Sequence, residues 1–119
     1  MLAKSATSFS KKQSFFINSI EGLYWAAVDA SHAALMAAKK IPPSPEHIPI
    51  MLKEVFCDEN KLKMRYIVMY RDLLVLHKKI MHGDVSNVKG KEIDEWQAKA
   101  DEFVGEMARL VKEIVEKKD

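Results

Sequence analysis

An all-α fold, an antiparallel up-and-down four-helix bundle with one extra short helix, is what this sequence predicts. Three observations lead there. Only four glycines and four prolines interrupt 119 residues, and three of those prolines (Pro42, Pro43, Pro45) fall together. The long stretches this leaves are rich in alanine, leucine and methionine, all strong helix formers. Apolar residues in the last third recur at spacings of three and four, the helical period. Residues 1–119 are read as a single domain, because a chain of this length falls within one domain's range and supports one core.

The elements follow in chain order. The segment over about Ser8–Asn18, carrying Phe15, Phe16 and Ile17, is expected to be a short helix or the first turns of a longer one, with Gly22 as a weak point. Leu23–Lys40 is the next helix. Its small residues Ala26, Ala27, Ala30, Ala33, Ala34, Ala37 and Ala38 let a neighbouring backbone come close, which predicts a central helix or a dimer contact. Ile41-Pro42-Pro43-Ser44-Pro45 stops it, since proline donates no backbone hydrogen bond and restricts the residue before it. Ser44, Pro45 and Glu46 form a start signal for a short helix to about Phe56, with an irregular first turn at Pro49. Asp58 or Asn60 is expected to cap a long helix over Lys61–His82, apolar on more than one side and so buried between others. Gly83 ends it in a left-handed turn, and Asp84–Gly90 is read as loop. The final helix carries Ile93, Trp96, Ala100, Phe103, Met107, Leu110 and Ile114 on one face, acids early and lysines late.

Composition narrows the functional classes. The formal net charge is +2, too small to argue for nucleic acid by itself. The basic residues are clustered, however, at Lys11-Lys12, Lys39-Lys40, Lys61–Arg65 and Lys78-Lys79. The one cysteine, Cys57, has no partner for an internal disulfide or a cysteine zinc site. Met1–Ser10 lacks the apolar core of a signal peptide, and no apolar run reaches the roughly 18 residues of a membrane span. A cytoplasmic protein without membrane association is therefore expected. There is no glycine-rich phosphate loop, nucleophile elbow or Cys/His metal spacing, so neither metal nor cofactor is expected.

The chemistry on offer is Arg71-Asp72, then His77-Lys78-Lys79-Ile80-Met81-His82-Gly83-Asp84. At about 100° per residue, Arg71, Lys78 and His82 share one quadrant of their helix. Two fixed cations and an imidazole in line suit a phosphate-bearing ligand, with His82 able to move a proton. The same spacing also fits cations paired with acids across the bundle and a histidine that merely ends a helix. Asp29 and His32 are three apart and share a face, where they can pair or lie in the core. Tyr24 and Trp25 can stack on a base, or serve as core aromatics.

Two stretches resemble the HEPN domain family. Leu23–Ala37 (LYWAAVDASHAALMA), followed by the Pro42–His47 turn, is similar to the family's Tyr-Tyr-Ala and His-Ala-Ala-rich helix with its proline-containing turn. Lys79-Ile80-Met81-His82-Gly83-Asp84 is similar to the family signature of an arginine, a polar residue, then a histidine and often glycine. The likeness runs from about Leu23 to the C-terminus. It implies a four- or five-helix up-and-down bundle, a homodimer whose signature residues line an interface cleft, and RNA or nucleotide as ligand. Many such proteins are metal-independent endoribonucleases, several of them toxins paired with a nucleotidyltransferase antitoxin. By this resemblance His82, His77 and Arg71 are the catalytic candidates, and Lys78, Lys79, Gly83, Asp29 and His32 the phosphate or RNA contacts. Two registers stay open. In the one ending at His82-Gly83, which is favoured, His77 occupies the family's arginine position; in the other, Arg71 leads to His77. The competing reading is a non-catalytic interaction protein that pairs with a nucleotidyltransferase or another partner through its helical faces.

Overall fold

A computed structural model describes residues 2–83 and 90–117. Every regular element among them is helical. α1 spans Leu2–Ala37, and a 3-10 turn over Pro45–His47 leads into α2, Ile48–Leu52. A wide turn with i to i−5 bonding, Lys53–Cys57, continues α2. α3 is Met64–Met81 and α4 is Gly90–Lys117.

α1 takes the longer of the two readings left open for Ser8–Asn18 and runs through Gly22 without a break. It is one uninterrupted helix of 36 residues, about 54 Å long. Gly22 is exposed, with nothing within 4 Å of where a Cβ would sit, and its φ is not positive. Its cost is therefore the local loss of helix propensity, which neighbouring alanines and the buried face of α1 override. Ile20, Leu23, Tyr24, Ala27, Val28, Ala34 and Leu35 form that face. Ser31 lies within it, fully buried, and its hydroxyl is satisfied by the Ala27 carbonyl at 2.8 Å. α1 packs against α2, α3 and α4, the central position its small residues predict.

Helix ends use left-handed residues that are not all glycine. Lys39 has φ 64° after α1, and Lys40 N–H returns to the Leu35 carbonyl at 2.8 Å. Asn60 has φ 61°, and Lys61 N–H bonds the Phe56 carbonyl at 2.8 Å. Both are six-to-one closures of the Schellman kind. The expected capping role for Asp58 or Asn60 is thus corrected, since both residues close the preceding turn and Lys63 precedes α3. Gly83, with φ 86°, ends α3 as expected. Of the expected loop, 84–89 lies outside the described residues.

Contacts set the chain directions. Arg109 near the end of α4 bonds the Lys61 carbonyl at 2.8 Å, and Arg65 pairs with Glu102 at 2.6 Å. Moving forward along α3 therefore moves backward along α4. His77, late in α3, meets Tyr24 in the middle of α1, whereas Ile114 late in α4 shares a pocket with Ala38 and Lys40 after α1. α3 is antiparallel to both α1 and α4, which run the same way. α2 also runs with α1, from Glu46 beside Lys78 to Phe56 near Ala38. Strict up-and-down alternation is not what the chain does between α1 and α2. The proline segment makes the return instead, lying along Trp25–Met36 without forming a helix.

The core joins these elements. Phe56, Tyr66, Ile67, Tyr70, Leu73 and Ile80 pack with Ile93, Ala100, Phe103, Met107 and Leu110 of α4. The α4 stripe is as its spacing predicts, with only Trp96 and Ile114 half-buried. α3 differs from expectation. Its Tyr66, Ile67, Tyr70, Leu73 and Ile80 are buried, but Met64, Val68, Val75 and Met81 are exposed. It is a one-sided helix with apolar residues on its open face.

Two substitutions test this packing. Phe103→Ala is expected to lower the unfolding free energy by about 3–5 kcal/mol in denaturant titration. Gly22→Ala is expected to raise it by about 0.5–1 kcal/mol, because only helix propensity changes there.

Candidate functional site

The outer stripe of α3 carries the cations. Arg71, Lys78 and His82 are all exposed there, as one-quadrant spacing requires. Lys79 is exposed beside them, and Gly83 closes the helix. Arg71 has no ion-pair partner among the described residues. It lines a groove of about 460 Å³ between α2 and α3 with Glu46, Lys53, Ile50, Leu74 and Val75. Lys78 approaches Glu46 at 3.8 Å, with both side chains about half exposed. A pair so open and long constrains little.

Glu46 was not singled out by sequence, yet it organises the near end of this groove. Its own backbone N–H and the Ser44 hydroxyl hold its carboxyl below the usual carboxylate range, with Lys78 adding to this. Ser44 Oγ also lies 2.7 Å from His47 Nδ1, so it binds side chains and makes no cap bond to the backbone. Serine and proline before an acid were the available signal, and they pointed only to a helix start.

His77 faces the other way. Successive helical residues diverge by about 100°, so the neighbour of Lys78 turns inward toward α1. Its ring stacks on Tyr24 with centroids 3.8 Å apart and planes 5° from parallel, and Trp25 meets it edge-on at 6.4 Å. His77 Nε2 is buried and has no hydrogen-bond partner among the described residues. Burial pushes the imidazole pKa down, opposed in part by the Glu21 carboxylate. Burial and then the Glu46 charge push the Tyr24 phenol up. The structure therefore brings Arg71, Lys78 and His82 onto one face and separates His77 from them. This holds for either register of the signature, since both pair His77 with a residue on another side of the helix.

Asp29 and His32 occupy a second surface. With Trp25, Val28, Met36 and the Pro42–Pro45 return they line a shallow depression of about 560 Å³ on α1. Asp29 is exposed and His32 half-buried, and no hydrogen bond joins them. Trp25 links the two surfaces, its ring standing between this depression and His77.

A third polar group seats α3 on α4. Glu102 accepts from Arg65 and from Tyr66, and Arg109 spans Glu106, Glu113 and the Lys61 carbonyl. The hydrogen bond to Glu102 is the main cause that pushes the Arg65 pKa up. Each cation in this cluster has a carboxylate, so the cluster works as a clamp between helices. No group of three histidine, cysteine or acidic residues stands close enough to hold a metal among the described residues. None of the described helices is long and apolar enough to cross a membrane.

Comparison with protein-family models, with curated proteins and with solved structures finds no match to this chain.

The half-buried His77 imidazole generates a pH prediction. His77 takes a proton less readily in the folded chain than at its ordinary value of 6.5. The unfolded chain then binds more protons below that value, so stability rises with pH across the window and is fully present above it. Denaturant titrations are expected to show stability falling as pH drops below about 6.5. His77→Phe, which keeps the stack on Tyr24 without a titrating nitrogen, is expected to flatten that fall.

Proposed function

We propose that this chain is a HEPN-like helical module that binds phosphates of RNA or of a nucleotide along the exposed α3 stripe. It would act in the cytoplasm as a homodimer, with the stripes of two copies flanking one cleft. The observation that carries the reading is the stripe itself: Arg71, Lys78 and His82 in line, exposed, with Arg71 unpaired among the described residues. A guanidinium offers a fork of donors to two phosphate oxygens, and an ammonium adds a compact point charge. Lys79 and the backbone turn at Gly83 lie at the same end of the helix. The Asp29–His32 surface, reached past Trp25, would receive a flanking base or sugar.

Cleavage, where it occurs, falls to His82. Its imidazole would take the 2′-hydroxyl proton as the 2′-oxygen bonds to phosphorus, closing a 2′,3′-cyclic phosphate while the P–O5′ bond breaks and the 5′-oxygen leaves with a proton, and Lys78, one turn before it, would stabilise charge on that phosphate. His77 would act as a positioning residue through its stack on Tyr24, holding α3 at a set angle to α1. No metal enters this scheme.

A second reading is favoured by the apolar residues between the cations. Met64, Val68, Val75 and Ile50 are exposed on the same side, which suits a non-catalytic protein that pairs with a nucleotidyltransferase antitoxin or another protein.

Binding of labelled single-stranded RNA at low salt separates these readings. The wild-type chain is expected to bind, and Lys78→Ala/His82→Ala to weaken binding by about tenfold or more, with a shallower salt dependence. Equal binding by both proteins overturns the phosphate reading. Incubation of the same RNA with His82→Ala is expected to leave it intact if the wild type cuts it.

A further inference from the structure

We propose that the groove between α2 and α3 binds an aliphatic monocarboxylate, its carboxylate held by Arg71 and its chain laid along Pro49 and Ile67. The site is additional to the phosphate stripe and shares only Arg71 with it.

The walls are almost wholly aliphatic. Pro49 and Ile67 form a buried floor, Leu74 is half-buried, and Ile50, Met64 and Val75 stand exposed at the rims. Along α3 the lining runs from Met64 to Val75, a length of about 16 Å. A groove of about 460 Å³ over that length is about 30 Å² in section. One extended aliphatic chain fits such a section, and a docked helix of about 10–12 Å diameter does not. The volume falls within the range of small-molecule sites, roughly 300–1,000 Å³.

The charged lining sets the head group. It consists of Glu46, Lys53 and Arg71, with no aromatic ring, amide or hydroxyl among the lining side chains. Glu46 is engaged by Ser44 and by Lys78 at 3.8 Å, and Lys53 reaches Asp58 at 3.2 Å. Arg71 is left, on the α3 wall between Ile67 and Leu74, with no ion-pair partner among the described residues. A guanidinium offers two parallel N–H bonds to a carboxylate, and it is more weakly hydrated than an ammonium, so pairing beside apolar walls suits it. The chain then adds affinity by displacing water from the aliphatic floor, roughly fourfold for each methylene fully covered.

Other occupants match fewer of these groups. A nucleobase needs a ring to stack on or partners for its edge, and the lining offers neither. A cationic amphiphile would set its charge against Arg71 and Lys53. A bilayer surface would meet the rims at Ile50 and Val75 and leave the floor at Pro49 and Ile67 untouched. A neutral alcohol would leave Arg71 unpaired.

Calorimetric titration of the full chain with dodecanoate at pH about 8, where the carboxylate is ionised, tests the site. Saturable binding is expected, with a Kd on the order of 100 μM. Decanoate is expected to bind about tenfold more weakly, because two methylenes no longer cover the floor. Arg71→Gln is expected to weaken dodecanoate by about tenfold or more and Arg71→Lys by less, while dodecanol binds wild type and Arg71→Gln alike. Methyl NMR signals of Ile50, Ile67 and Val75 are expected to shift along the titration. Binding that does not saturate near 1 mM, about ten times the expected Kd, overturns the proposal. So do dodecylamine binding as tightly as dodecanoate, undiminished binding by Arg71→Gln, and shifts confined to another face. RNA binding by a chain that takes no dodecanoate would leave the phosphate reading intact, and dodecanoate binding by a chain that takes no RNA would leave this site standing alone.

Discussion

The Tyr70 hydroxyl donates to the Pro45 carbonyl at 3.0 Å while its ring packs on Phe103, 5.9 Å away. On this contact the placement of every surface discussed above depends. A proline-rich return has no helical hydrogen bonds of its own, so its position must come from outside. Tyr70 supplies that from α3 and carries the restraint through to α4. Burial first, and the nearby charges of Tyr24 and Glu46 next, push its phenol pKa well up, so the donor proton stays in place across the accessible pH range.

From that anchor the geometry spreads in both directions. The return lies along α1 and walls the depression that holds Asp29 and His32. One residue past Pro45, Glu46 faces Lys78 and the Arg71 groove. α2 then proceeds in the direction of α1, which leaves one side of α3 uncovered. Met64, Val68 and Val75 stay exposed beside it.

The clamps at the other end of α3 have a different character. Arg65 and Arg109 each meet carboxylates at 2.6–2.8 Å, and Arg109 also holds the Lys61 carbonyl. Exposed pairs contribute little individually, but a guanidinium that bonds a backbone carbonyl fixes the start of a helix. With one end of α3 tied by charge and the other by the His77–Tyr24 stack, the helix presents its outer stripe at a defined angle.

Periodicity and propensity alone determined the helical class and the face of α4, because Ile93 to Ile114 repeat at a spacing only a helix satisfies. The stop at Pro42–Pro45 and the end at Gly83 were equally local, since backbone chemistry at those residues permits little else. Arg71, Lys78 and His82 could be placed in line from spacing for the same reason. Tertiary structure decided the rest. α1 runs through Gly22 because burial of a long face outweighs one residue's propensity. Which side of α3 is covered was undecidable from a helix with apolar residues all round, and it was settled by where α2 lands. His77 sits one residue from Lys78 in the chain, yet only the partner helix could turn it toward Tyr24, since a helix sends neighbours to different faces and packing chooses which face is buried.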